Sequence, residues 1–582
     1  MDSKGMFGPR PLSVLSLGTV FLSCCAATDP LCAQTNGIVQ QESNTIRGTV
    51  LNKVTHEPIA RALVFSQDNR FATLTDDRGH FEFVFAGGEG QPAGGATVQN
   101  FATNRPSLLL ARKPGFLPTD SEPPMLQAGG TEQELTIPLE PEALVVGHVF
   151  LPGSDAFDRI QVELFRRQVR EGREHWDSAG TVWSRSDGEF RFVELPAGSY
   201  KLVTHELLDR DPLTFNPSGQ LYGYPPVYYP SAAGFAAASI IRLSAGSTFR
   251  ASVSLERRAY YPVRMRVANA PTGMSIGISV WPLASQGPGY SLSYNATEQL
   301  ILGALPEGTY LVRAMVYGPE AMTGVSTLTV KGSAVGGPVM TMLPNGSIPV
   351  TVQEEFQNPE SSTEGSMSGG GIRSGSGTER RRNYLNVSLI PLEEFGPTPG
   401  AFLRSPKGPD DDSPLVIENV QPGRYRVAVN TTIGYASSIT SGGTNLLRQP
   451  LVVGEGSTTA PIEITVRDDG AEVEGKIERT PAGSVDKTGF TSPGTSQGNV
   501  YFVPTADSTG QFRVAWLSTD GTFQLHQLPP GVYQIFAFDR QQPDLEYASE
   551  EAMAKYEPKS QVIRVVAGQK VRLQLPLITE RE

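Results

Sequence analysis

Cysteine is almost missing from this chain: there are three in 582 residues, Cys24, Cys25 and Cys32, and none after them. A disulfide framework is thereby excluded from the body of the protein, and its domains have to be held by packing alone. Long apolar runs are lacking too, since the stretch 12–22 is too short to cross a bilayer. Helical periodicity sustained over many residues is absent, and charged residues make up only 19%. The net charge of −12 argues against phosphate-backbone binding, so no nucleic-acid partner is expected. The single basic cluster, Arg380-Arg381-Arg382, sits in a glycine-serine tract and reads as a solvated loop.

What is present is turn chemistry and β-formers. With 61 Gly, 46 Pro and abundant Val, Thr, Tyr and Phe, the composition is that of an all-β protein. A length of 582 exceeds what one core serves, so several domains of roughly 100–150 residues are expected. The N-terminus carries Lys4 and Arg10, then 12–22, then small residues through Ala33, which is the layout of a secretory signal peptide. Cleavage after Ala33 removes every thiol, and cleavage after Ala27 is the alternative. Lipidation at Cys24 or Cys25 stays open: Ser23 suits it, Phe21 does not.

One hexapeptide recurs at domain-sized intervals: Leu195-Pro196-Ala197-Gly198-Ser199-Tyr200, Leu305-Pro306-Glu307-Gly308-Thr309-Tyr310, Val420-Gln421-Pro422-Gly423-Arg424-Tyr425 and Leu528-Pro529-Pro530-Gly531-Val532-Tyr533. Proline sets φ at the turn, glycine is expected to supply the positive φ of a type II turn, and the aromatic starts a half-buried strand. Upstream lie a Gly-x-Val opening strand (Gly48, Gly147, and Gly475 with Ile477 in place of Val) and an Asp-Gly-x-Phe signal that predicts a hairpin (Asp187-Gly188-Glu189-Phe190, Asp520-Gly521-Thr522-Phe523). A Gly-led strand closes each unit, as at Gly246 and Gly568. The first copy has Asp77-Arg78-Gly79-His80-Phe81 but replaces the hexapeptide with a glycine-rich insertion, 87–95, and the run Leu108-Leu109-Leu110-Ala111-Arg112. The third lacks the Asp-Gly signal. The fourth carries a Ser-Gly-Glu tract, 357–382, expected to be a disordered, mobile loop.

This grammar resembles the carboxypeptidase regulatory-like domain, most strongly at 48–64 with 77–81 and at the paired motifs of copies two and five. The resemblance implies a tandem array of about five transthyretin-like/immunoglobulin-like β-sandwich modules after a signal peptide. The expected bounds are 1–33 signal peptide, 34–45 linker, then modules at 46–141, 142–257, 258–343, 344–468 with the insertion 357–382, and 469–582. Short connections such as Tyr261-Pro262 and Asp468-Asp469-Gly470 predict a semi-rigid rod.

The zinc site of a carboxypeptidase needs His-x-x-Glu and a distant histidine, and none of the six histidines begins that pattern. His205-Glu206-Leu207-Leu208-Asp209 approaches His-Glu-x-x-His but ends in Asp and follows a strand. Gly273-Met274-Ser275-Ile276-Gly277 matches a nucleophile elbow in letters, yet a strand pattern follows it where a helix is needed. Lys53 and Lys476 stand where an isopeptide bond would start, and a surface lysine explains both. No catalytic residue, metal or cofactor is therefore expected. The candidate ligand-contact residues are Tyr222, Tyr224, Tyr228 and Tyr229, whose rings between prolines would either stack on sugar or cover their own sandwich. The expectation is an exported, non-enzymatic interaction protein, periplasmic, cell-surface or extracellular, with no transmembrane span in the mature chain and a glycan or envelope protein as partner. The alternatives are a carbohydrate-binding protein and an accessory or regulatory subunit of an exported enzyme such as a carboxypeptidase.

Overall fold

The computed structural model describes residues 44–85, 108–118, 132–152, 159–209, 219–283, 287–318, 320–357, 384–393, 400–405, 413–456, 458–478, 498–505, 508, 510–518 and 520–579. The expected signal peptide with its cysteines, the insertion 87–95 and all but Gln357 of the tract 357–382 lie outside them. The fold is all-β, with one short α-helix, Glu550–Ala554, among the described residues.

Five large clusters of buried side chains follow one another along the chain, centred on Ile46 and Val50, on Val145 and Tyr200, on Met265 and Tyr310, on Ile348 and Tyr425, and on Val473 and Tyr533. Each is built on one set of sheets, the second also taking in Tyr224 from a strand that pairs with the third. In the first, Asn44–Asn52 pairs antiparallel with His80–Phe85 and parallel with Glu132–Leu139, and a second sheet is built on Leu63–Ser66. The same parallel pairing of opening and closing strand recurs for Ala143–Phe150 with Thr248–Ser254, Gly346–Glu355 with Ile462–Arg467, and Ala471–Glu478 with Lys570–Ile578. Parallel first and last strands put a unit's entry and exit at opposite ends.

The repeated motifs are packing devices that work in pairs. Gly48, Gly147 and Gly475 lie directly opposite Phe81, Phe190 and Phe523 in the antiparallel register. The phenylalanine ring fills the space the glycine leaves: a Cβ there would fall 2.5, 2.2 and 2.2 Å from the Cζ of the respective ring. Gly-x-Val and Asp-Gly-x-Phe are therefore two halves of one contact. In the Asp-Gly turns, Gly79, Gly188 and Gly521 have φ of 75°, 87° and 80°, and the glycine N–H returns to the carbonyl three residues back. The expected hairpin needs correction. In the first two units the strands flanking the turn belong to opposite sheets, so the turn is the corner where the chain crosses the sandwich.

The hexapeptide also differs from the expected type II turn. Gly308 and Gly531 do not take positive φ, and Gly198, at 156°, is close to extended. The left-handed position falls instead on the residue before the motif, Glu194, Asn419 and Gln527, at φ of 56°, 59° and 57°. There a β-bulge inserts one residue between Phe192 and Leu195, Ile417 and Val420, and Leu525 and Leu528. Glycine is needed for room: a Cβ on Gly308 would sit 3.1 Å from the Tyr310 hydroxyl, and one on Gly531 would sit 2.5 Å from Ser508 Oγ. The tyrosine closes the device. Tyr200, Tyr310, Tyr425 and Tyr533 are at most 2% exposed, and their hydroxyls donate to the carbonyls of Pro196, Pro306, Gln421 and Pro529 at 2.6, 3.0, 2.8 and 2.7 Å. This is a tyrosine corner, made four times.

The rod expectation is modified at one place. The hairpin Gln161–Arg170/Arg173–Trp183 is long, and its tip reaches the fourth and fifth units: Gly172 O accepts from Ala548 N at 3.1 Å, Arg167 pairs with Glu546, and Glu171 with Arg426. Between the fourth and fifth units the connection is tied down. Asp468 accepts from Gln357 N at 2.6 Å, Asp469 from the Tyr435 hydroxyl at 2.9 Å, and Gly470 N donates to Gln527 Oε1 at 3.1 Å.

Candidate ligand-contact sites

The four tyrosines singled out from the sequence lie where the second unit meets the third. Leu207–Leu208 and Leu221–Tyr224 form a small hairpin whose second strand pairs with the start of Arg258–Ala268, opening strand of the third unit. The connection thus crosses the expected boundary at 257/258. Its rings do not form one open face. Tyr224 is 5% exposed and belongs to the core of the second unit. Tyr228, 2% exposed, enters a satellite cluster with Phe165, Trp176 and Phe235, and its hydroxyl donates to Pro288 O at 2.7 Å. Tyr229 is half-buried with its ring edge-on to Phe249 at 5.8 Å. Tyr222 is half-buried beneath the Arg257 guanidinium, 4.2 Å from the ring centre, and Arg257 is itself bonded to Asp209 at 2.9 Å.

The same junction absorbs the histidine motif. His205 Nε2 lies 2.9 Å from Glu163 Oε2, and Ser178 donates to the other oxygen at 2.7 Å. Burial works against the Glu163 carboxylate, but these two hydrogen bonds outweigh it and hold the group below the usual carboxylate range. Glu206 points to the third unit, where its Oε1 accepts from Ser291 N at 2.7 Å and from Ser291 Oγ at 2.9 Å. Burial pushes this carboxyl up to about 7. The three residues of the zinc-like motif therefore face three different partners. Among the described residues no group of three or more His, Cys, Asp or Glu is placed to hold a metal. Gly273 sits in a turn at φ 76°, and the strand Gly277–Pro282 follows directly, with no helix behind Ser275. Lys53 pairs with Glu140 at 3.0 Å and is exposed.

Two sites that the sequence reading passed over lie on the outer faces of the second and fifth units. A depression of about 650 Å³ is lined by Val146, His148, Trp183, Arg185, Glu189, Arg191, Arg250 and Ser252. A second, of about 950 Å³, is lined by Glu474, Lys476, Ser518, Thr522, Gln524, Gln561, Arg572 and Gln574. They are the same place on two copies: each spreads across the opening strand at its glycine, over the Phe-bearing strand on one side and the closing strand on the other. Trp183, which lines the first depression, and Trp516, which is not among the residues lining the second, occupy equivalent positions in sequence, each five residues before the glycine of its Asp-Gly turn, and they are 59% and 63% exposed. Leu74 in the first unit stands at the same spacing and is 61% exposed. Aligning on the Asp-Gly turn, and asking which residue type recurs ahead of it, would have revealed the pair.

No family model matches the chain, and no curated protein matches it. Among solved structures, the TIE protein of Bacillus anthracis is similar at 8% identity over 76% of this chain and 75% of that one, with a TM-score of 0.14. A streptococcal ancillary pilin aligns at 11% identity over 52% of this chain and 100% of its own, TM-score 0.16. The full-length RrgB pilus protein of Streptococcus pneumoniae aligns at 8% identity over 76% and 98%, TM-score 0.12. At such scores the chains do not superpose as whole molecules.

Proposed function

We propose that this is an exported, non-catalytic protein that binds a component of the cell envelope or its surroundings through repeated β-sandwich modules with the bounds expected from the sequence, save that the strand Leu221–Tyr224 also joins the sheet of the third. The observation that carries the reading is the recurrence of one outer sheet face, with an exposed tryptophan at the same position, on the second and fifth copies of a common fold. An exposed indole beside charged side chains gains nothing for folding, and its repetition suits contact with a partner. The layout of residues 1–33 supports export to the periplasm, the cell surface or the medium. The candidate partner is a glycan or an envelope protein.

The test has two arms. Fractionation of the native cells is expected to place the chain outside the cytoplasm, and the purified chain lacking 1–33 is expected to sediment with isolated cell envelopes. A cytoplasmic location, or a chain that stays in the supernatant, refutes the reading.

A further inference from the structure

We infer that the outer faces carrying Trp183 and Trp516 are two equivalent binding sites for an acidic polysaccharide, with each indole stacking on a sugar ring and the neighbouring cations meeting its carboxylates. This rests on the interaction reading above and names the ligand for it.

Three independent observations carry the inference. The first is the indoles' position: each stands at the end of the edge strand leading into the Asp-Gly turn, Arg173–Trp183 and Arg513–Trp516, paired there with Gln161 and Asn499. A flat amphipathic ring held on a strand end and open to solvent is the surface on which a pyranose face can lie. The second is charge. The protein carries −12 overall, yet the lining of the first depression has Arg185, Arg191 and Arg250 against Glu189, and that of the second has Lys476 and Arg572 against Glu474. A local positive excess on a face of an acidic chain attracts an anionic ligand to that face. Arg191 and Arg250 project from neighbours of the same strand, since both register against Val146, so the two guanidiniums flank one position of the face. Their planar forks match carboxylates.

The third observation is unsatisfied polarity at both sites. His148 lines the first depression and Gln561 the second, and in each one side-chain atom, Nδ1 and Oε1, is buried without a hydrogen-bond partner. Sugar hydroxyls both donate and accept, so they can satisfy either atom once its side chain turns toward the depression. The His148 ring also lies against that of Phe150, tilted by 36° with ring centres 4.2 Å apart. A protein partner fits these faces poorly. The first depression has one indole among arginines and a glutamate, and the second is lined mainly by charged, amide and hydroxyl side chains, so neither has the contiguous apolar centre that protein interfaces bury. Two sites on one chain also suit a repeating polymer, which can occupy both together and bind more tightly than to either alone.

The experiment is native affinity electrophoresis of the chain lacking 1–33 in gels holding polygalacturonate or, as the neutral arm, hydroxyethyl cellulose, at about 150 mM salt to suppress nonspecific ion pairing. Polygalacturonate is expected to retard the protein and hydroxyethyl cellulose is not. The double variant W183A/W516A is expected to bind about tenfold more weakly or worse, as removal of central aromatic contacts does. Each single variant loses less, and R191Q/R250Q weakens binding with the tryptophans intact. Because both indoles are largely exposed, the double variant should melt with the parent, so lost binding is not lost folding. Absence of retardation by polygalacturonate, equal retardation by the neutral polymer, or full retardation of W183A/W516A overturns the inference. If polygalacturonate fails while the chain still sediments with envelopes, the acidic-glycan inference falls and the interaction reading stands; if both fail, both fall.

Discussion

Replacing Tyr533 by Phe removes one oxygen and leaves the ring. Tyr533 is fully buried, its hydroxyl donates to Pro529 O at 2.7 Å, and it accepts from Gln511 N at 3.1 Å. In Tyr533→Phe the ring keeps its packing against Phe502, while a buried carbonyl and an amide lose their partner together. An abandoned buried polar group costs about 1–3 kcal/mol, so the pair places this variant near the upper end of that range. Tyr200→Phe is the internal comparison. Its hydroxyl meets Pro196 O alone, and Pro196 is only half-buried, so about 1 kcal/mol is expected there. Hydrogen exchange of the intact chain separates the units: in Tyr533→Phe, amides of Gly531–Phe538 should exchange on the order of tenfold to a hundredfold faster, with Asn44–Asn52 unchanged. Unchanged protection in the fifth unit, or an equal effect at Tyr200, would refute the tyrosine-corner account.

Three further outcomes are expected. Glu206 has its pKa raised to about 7 in the folded chain, above an unfolded value near 4.3, so the folded state holds the proton longer. Stability at this junction is full below about pH 4, is lost as pH rises through about 7, and is level above that; Glu206→Gln should flatten the change in melting temperature between pH 5 and 8, and an unaltered profile would count against it. Gly531→Ala should destabilise the fifth unit by about 1–3 kcal/mol through contact with Ser508 and Gly510, whereas Gly521→Asn, at φ 80° with open space around it, should cost well under about 1 kcal/mol; equal costs in urea titrations would contradict the assignment of room to one glycine and dihedral freedom to the other. The purified chain should cleave neither peptide nor ester substrates with or without added zinc, and chelator-sensitive hydrolysis lost in His205→Ala would overturn the non-catalytic reading.

The architecture was readable because its devices recur with fixed spacing. Phe190 to Tyr200 and Phe523 to Tyr533 are separated alike, and both phenylalanines and both tyrosines are buried in their unit's core. What each letter does was harder to read. Pro-x-Gly suggests a type II turn, but glycine is selected there by the tyrosine ring and neighbouring backbone, while the strained φ falls on Glu194 and Gln527, residue types that carry no turn signal. The hairpin signal at Gly188 gave the right local turn, yet only tertiary packing sends its two strands to opposite sheets. At the candidate site, Tyr228 reaches Pro288, sixty residues away, a contact no local pattern encodes. Trp183 and Trp516 were visible as letters, but their equivalence needed the sandwich register to become meaningful.

The most direct test of the claim that the repeated motifs are paired packing devices is a double-mutant cycle at Gly475 and Phe523, read by hydrogen exchange across Ala471–Glu478 in the intact chain. A Cβ on Gly475 meets Phe523 Cζ at 2.2 Å and Leu573 O at 3.0 Å, so the ring is the dominant obstacle. Gly475→Ala is expected to cost about 1–3 kcal/mol in the parent and less than about 0.5 kcal/mol when Phe523 is already Ala. The same cost in both backgrounds would mean that the glycine and the phenylalanine are not partners, and the account of the repeat would fail.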